Sequence, residues 1–160
     1  MAITGATPYL WFDHEALDAV TFWVGLFPDS RITAVSYYRD GAPLPAGTVL
    51  VVAFELFGRP YAALNGGPHA THSDAVSFEV LCDTQEEIDR IWDALVADGG
   101  EESQCGWCRD RFGVVWQVVP RVLNEMLDGD DDGRAQRAWD AMLPMRRLDI
   151  ATLVAAADAD

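Results

Sequence analysis

The chain has 160 residues, 50% hydrophobic and 23% charged, enough to build a sizeable core without disulfide staples. Its 26 acidic and 11 basic residues leave a formal charge of −15, a field that repels phosphate backbones and anionic bilayers; neither nucleic acid nor a membrane is expected as a partner. Every basic residue is arginine, and the lack of lysine excludes Schiff-base catalysis and the phosphate-loop lysine.

The opening stretch MAITGATPYL has no basic flank and no apolar run before a small-residue cleavage site, which reads as a cytoplasmic chain without a leader. A short apolar strand, Tyr9-Leu-Trp-Phe12, ends at Asp13, a candidate helix cap. Ala19, Phe22, Trp23, Leu26 and Phe27 then recur at helical period as far as Pro28. Arg31–Tyr38 is rich in β-branched and aromatic residues, Gly41–Gly47 is a proline-glycine loop, and Thr48–Leu56 is an apolar strand of core length. Phe57-Gly58 turns the chain into Arg59–Asn65, and the link Gly66–Ser73 follows.

Val76–Cys82 reads as the next strand. Thr84-Gln-Glu-Glu87 forms a capping box, and Ile88, Ile91, Trp92, Leu95 and Val96 give a second helical stripe closed by Gly99-Gly100. Glu101–Arg109 has room for one brief strand, after which Phe112-Gly113 launches Val114–Pro120. The pattern then becomes helical. A short turn covers Val122–Leu127, and an amphipathic helix covers Arg134–Leu143 with Ala135, Ala138, Trp139 and Met142 inward. A last helix, Ile150–Ala157, is capped by Asp149. Trp23, Trp92 and Trp139 are expected in the core. The run Asp130-Asp-Asp-Gly133 lacks the alternating ligands and terminal glutamate of a calcium loop and reads as a polar turn.

Two internal echoes decide the architecture. An apolar strand ending at Asp13 or Asp83 enters a helix with the same five-residue stripe, and an aromatic-glycine turn launches a strand in which Tyr61 matches Trp116 and Ala62 matches Gln117. The order strand, helix, three strands occurs twice. The fold class is therefore α+β: paired βαβββ modules over residues 1–66 and 74–120, with a helical extension over 121–160, in a single domain spanning 1–160. Each module forms a curved sheet with a helix on its convex side. Alternate strand residues then line a concave face that side chains or a ligand must fill.

Three cysteines, Cys82, Cys105 and Cys108, do not suggest a disulfide framework in such a chain. Cys105-Gly-Trp-Cys108 has redox spacing, but a turn into a strand follows it rather than a helix N-terminus, and no second pair completes a zinc site. His69 and His72 would lie on opposite sides of an extended segment, and Pro68 disfavours a helix there. His14 is expected to be exposed.

Four segments carry a family resemblance: Pro8-Tyr-Leu-Trp-Phe12, Phe27-Pro-Asp-Ser-Arg31, Tyr61-Ala-Ala-Leu-Asn-Gly-Gly-Pro-His69, and Gln104-Cys-Gly-Trp107 with Asp110–Gly113 and Trp116–Pro120. The tail Ala141-Met-Leu-Pro-Met145 with Leu148-Asp-Ile150 fits the same pattern. Together they resemble the PhnB-like branch of the vicinal-oxygen-chelate superfamily, which includes glyoxalase I, bleomycin-resistance proteins and extradiol dioxygenases, and whose members are often labelled demethylubiquinone methyltransferase-like. The resemblance implies glyoxalase-like half-barrels, a homodimer, and a divalent metal held by His and Glu on four strands. Those ligands would fall near Thr7 or Pro8, at Ala62 or Ala63, at Ala75 or Val76, and at Gln117. None offers an imidazole or a carboxylate, so no metal and no glyoxalase-type catalysis are expected. The glycine-rich strand-to-helix turn of an S-adenosylmethionine site is missing as well, because Gly66-Gly67 enters Pro68 and Gly99-Gly100 ends a helix. No cofactor and no catalytic residue is assigned.

The candidate ligand-binding residues are Trp11, Tyr61, Asn65, His69, Cys105, Trp107, Trp116 and Gln117. Trp116 and Gln117 point to opposite faces of an ideal strand. Aromaticity puts Trp116 in the cavity, whereas the family register puts Gln117 there. The second is favoured, with Tyr61 and Trp116 packed under the helices. Two functions follow: a metal-independent small-molecule binding protein with its ligand in the cleft of the curved sheet, or a metal-independent enzyme using Cys105, His69 or Gln117. A dimeric accessory protein is the third reading.

Overall fold

The periodicity of the sequence is realised as two compact units, one ending at Thr71 and the other beginning at His72. The computed structural model describes residues 5–159; Asp160 and the first four residues, on which part of the leader reading rests, lie outside it.

In the first unit β1 (Tyr9–Phe12), α1 (Ala16–Leu26), β2 (Arg31–Tyr37), β3 (Val49–Leu56) and β4 (Arg59–Asn65) follow in order. The sheet runs β1-β4-β3-β2, with β1 parallel to β4 and the other pairs antiparallel. Leu10, Phe12, Val52 and Phe54 alternate onto one face and are buried. Trp23 of α1 packs there, its ring centroid 6.1 Å from that of Phe12 and 5.8 Å from that of Phe54. Burial of such side chains stabilises by about 1.5–3 kcal/mol each. Phe57 and Gly58 both take positive φ, 51° and 73°, as a two-residue hairpin turn requires, and they join β3 tightly to β4.

The second unit repeats the order with β5 (Phe78–Cys82), α2 (Gln85–Val96), β6 (Glu101–Glu102), β7 (Trp107–Arg109) and β8 (Val115–Pro120). Its sheet, β5-β8-β7-β6, has β5 parallel to β8. The duplication extends to register: Tyr9 faces Ala62 in the first sheet, and Glu79 faces Gln117 in the second. Three further helices follow, α3 (Arg121–Leu127), α4 (Asp132–Met142) and α5 (Ile150–Ala157). Leu123, Met126, Met142, Leu148 and Leu153 form a separate apolar core with Val119 of β8. Among the described residues no helix is long and apolar enough to cross a membrane.

Four local expectations need correction. Asp13 does not cap the first helix: α1 starts later, at Ala16, whose N–H is taken by the side-chain Oδ1 of Asn65 at 2.9 Å. The Glu101–Arg109 connection holds two short strands, because Cys105 (φ 56°) and Gly106 (φ 82°) fold the chain back on itself and the Trp107 N–H donates to the Gln104 carbonyl at 3.0 Å. The acidic run after Gly129 is more than a turn, since Asp131 caps α4 by accepting from the Arg134 N–H at 3.0 Å. Trp139 is not core: it is 46% exposed, while Ala138 and Met142 occupy the buried stripe of α4. The Thr84–Glu87 capping box and the Asp149 cap form as the sequence predicts.

Candidate functional site

Strand alternation in the second unit sorts the candidate residues before any cavity is considered. Phe78, Val80, Cys82, Trp116 and Val118 share one face, with the Phe78 and Trp116 rings 5.0 Å apart. Val115, Gln117 and Val119 share the other with Glu79, Leu81 and Trp107. Trp116 is 1% exposed and its indole N–H donates to Asp110 Oδ2 at 2.9 Å. Trp116 is therefore corrected from candidate ligand contact to core residue, and Gln117 is on the open face.

That open face floors a pocket of about 400 Å³. Glu79, Trp107, Gln117 and Val119 supply the floor, and Cys105 enters from the β6–β7 turn. Leu123, Asn124 and Leu127 of α3 form one wall, while Trp139 and Met142 of α4 with Leu143 form another. The turn is held to the chain beyond α4: the Cys105 N–H donates to the Met145 carbonyl at 2.7 Å and the Gly106 N–H to the Arg146 carbonyl at 2.8 Å. Gly106 has no room for a side chain, since a Cβ there would lie 2.8 Å from the Val118 carbonyl oxygen and 3.0 Å from Leu148.

The polar groups of the pocket are partly committed. Gln117 donates from Nε2 to Ser77 Oγ at 2.8 Å, and Asn124 donates from Nδ2 to Glu79 Oε1 at 3.3 Å. The Cys105 thiol contacts the Leu143 carbonyl at 3.7 Å. Cys82 and Cys108 are buried, and desolvation pushes their thiols up to about 11 and about 12 respectively, out of reach of thiolate chemistry at neutral pH. All three cysteines are free.

The structure brings Cys105, Trp107 and Gln117 together. The other four candidates belong to the first unit, where two of them have structural employment. Asn65 is 2% exposed; beyond anchoring α1 it donates to the Val49 carbonyl at 3.1 Å, so its amide is consumed by the fold and it is corrected to a structural residue. Tyr61 stacks on Phe54 at 5.7 Å, on the α1 face of its sheet. Trp11 is on the opposite face, folded over Gly66, with its indole N–H donating to the Gly67 carbonyl at 2.8 Å. His69 is exposed in the segment after β4.

Glu79 and the walls contributed by α3 and α4 escape the sequence reading. The echoes that match Asp13 with Asp83 and Ala62 with Gln117 hold the signal that could have found Glu79, since the pairing of Tyr9 with Ala62 is repeated by Glu79 with Gln117. Asn124 and Leu127 give no local signal, since nothing in a short helix says which sheet face it will cover. The four positions where the resemblance implies metal ligands lie at residues 7–8, in β4, before β5 and in β8, and they offer no imidazole or carboxylate. Among the described residues no group of three or more His, Cys, Asp or Glu is placed to hold a metal ion. The implied metal does not fit this chain.

Comparison with known proteins gives a consistent picture. A family model described as 3-demethylubiquinone-9 3-methyltransferase matches residues 4–119. Among solved structures, a PhnB protein from Bacillus cereus bearing that methyltransferase name is 30% identical, with a TM-score of 0.67, over 73% of this chain and 99% of its own. Protein PA1353 from Pseudomonas aeruginosa is 21% identical, with a TM-score of 0.59, over 74% of this chain and 98% of its own. The fosfomycin resistance protein FosX from Mesorhizobium loti shares the fold at 16% identity and a TM-score of 0.54, over 81% of this chain and 100% of its own. No curated protein matches. The family match stops before α3, so the pocket walls come from outside the shared region.

Proposed function

The chain belongs to the PhnB-like 3-demethylubiquinone-9 3-methyltransferase family, and on that premise we propose that it is a metal-independent small-molecule binding protein whose ligand occupies the pocket between the second sheet and α3–α4. The observation that carries this reading is the pocket itself. About 400 Å³ lies within the range of ligand sites, and mostly apolar walls with two indoles and a few polar groups match their usual make-up. The family name speaks of methyl transfer, but Gly66-Gly67 follows a strand into an irregular segment and Gly99-Gly100 follows α2, so neither pair forms the strand-to-helix turn that would hold a methyl donor. Tyr9 and Trp11 stand on the face of the first sheet away from α1, 63% and 36% exposed, which supports a homodimer buried through that face. Sedimentation analysis tests the dimer.

Titrating the protein with a library of small aromatic compounds while following tryptophan emission tests the binding function. Saturable quenching that disappears in Trp139→Ala supports it. Saturable binding unaffected by that change, or stoichiometric uptake of zinc, nickel or iron, overturns it.

Cys105 favours a second reading, a metal-independent enzyme with a thiol nucleophile, because it alone of the three cysteines lines the pocket. Iodoacetamide alkylation at neutral pH separates the two readings. A Cys105 rate well above that of an unstructured thiol favours the enzyme, and a rate at or below it favours the binding protein.

A further inference from the structure

Among the described residues Glu79 is the only formally charged side chain lining the pocket. It sits on the floor, opposite Gln117 across the β5–β8 pair, and among the described residues it forms no ion pair. Asn124 donates to one of its oxygens, Oε1, and the second is not engaged. The carboxamides add further polar atoms. Gln117 has one N–H committed to Ser77 and Asn124 one committed to Glu79, and among the described residues neither amide oxygen accepts a hydrogen bond. The thiol of Cys105 is turned to the Leu143 carbonyl. The acceptors open to a ligand are thus one carboxylate oxygen and two carbonyl oxygens, beside the second N–H of each amide and the indoles of Trp107 and Trp139, with Glu79 supplying the negative charge.

We propose, building on the binding function argued above, that the pocket selects aromatic cations: a flat ring among the two indoles, with an ammonium or amidinium group held by Glu79 and the oxygens of Gln117 and Asn124. Three physical terms favour that class. Indole faces attract cations and stack on rings. A donor-rich head group satisfies the acceptors the protein leaves open, which a neutral hydrocarbon would bury unpaired. The charge of −15 raises the local concentration of cations and repels anions, strengthening the discrimination at low salt.

Three probes with one ring system and different charge provide the test: tryptamine, tryptophol and indole-3-propionate, titrated calorimetrically, with the indole N–H resonances of Trp107 and Trp139 followed by NMR. Tryptamine is expected to bind about tenfold more tightly than tryptophol at low salt, with propionate weakest, because Glu79 is exposed and its attraction is modest. Glu79→Gln is expected to lower the tryptamine affinity to about that of tryptophol and so remove the preference; the substituted side chain is at the surface, and an unaltered melting curve shows that the fold is intact. Equal affinities, or a preference that survives Glu79→Gln, overturn the charge selectivity while the pocket stands. If none of the three probes shifts the Trp107 or Trp139 resonances, the pocket reading falls with it.

Discussion

Asp110 is a buried acid whose carboxylate is fully used by the fold. It is 2% exposed, with Oδ1 accepting the N–H groups of Phe112 and Val114 at 2.9 and 3.0 Å and Oδ2 accepting the Trp116 indole N–H at 2.9 Å. Removing it strands two buried donors, the Val114 N–H and the Trp116 indole N–H, and the half-buried Phe112 N–H. Asp110→Ala is therefore expected to cost about 2–4 kcal/mol, and Trp116→Phe less, which urea denaturation would measure. The cysteines make a second prediction. Burial favours the neutral thiols of Cys82 and Cys108 in the folded chain, so their contribution is complete below the ordinary thiol value of 9.0. It declines as the pH rises from there towards about 11 and about 12, because the unfolded chain ionises first. Melting temperature is expected to fall steeply above pH 9, and less steeply in Cys108→Ala. Cys82 was legible as an apolar strand position; Cys108 was not, because it lies in the three-residue β7. Asn65 was not legible as a helix anchor, since its partner Ala16 is 49 residues away and no local pattern links them.

Among the elements, α2 shows what local sequence can dictate. Thr84 accepts from the Glu87 N–H at 3.2 Å, and the Glu87 carboxylate accepts from the Thr84 N–H at 3.3 Å, so both members of the box are made. Thr84→Ala is expected to cost about 1 kcal/mol, measured by chemical denaturation. Thr84→Ser should retain most of that stability. The helices were readable because capping chemistry and a stripe at helical period reinforce one another, and β3 because its apolar run is long. By contrast, β6 and β7 have two and three residues, too few to show a period of two. Their existence depends on the reversal at Cys105-Gly106, where a cysteine in the left-handed region gives no warning in the sequence.

At the scale of the molecule, the duplication was visible in the echoes, but the use made of the C-terminal helices was not. An amphipathic helix announces that it will bury a stripe without saying which surface it will meet. Here Val119, Leu123 and Met126 are completed by Met142, Leu148 and Leu153. A chain ending at Leu127 would expose the first three and lose the pocket wall of α4. Each large buried side chain lost from this cluster is worth about 1.5–3 kcal/mol. The truncated protein is expected to melt at lower temperature, bind a hydrophobic dye, and lose saturable ligand binding, as differential scanning fluorimetry and calorimetry would show. The two backbone bonds that join Cys105 and Gly106 to Met145 and Arg146 have a consequence of their own. Those amide protons can meet solvent only when the C-terminal segment lets go, so their deuterium uptake is a built-in clock for that detachment. A bound molecule that bridges floor and wall would slow the clock at both sites together.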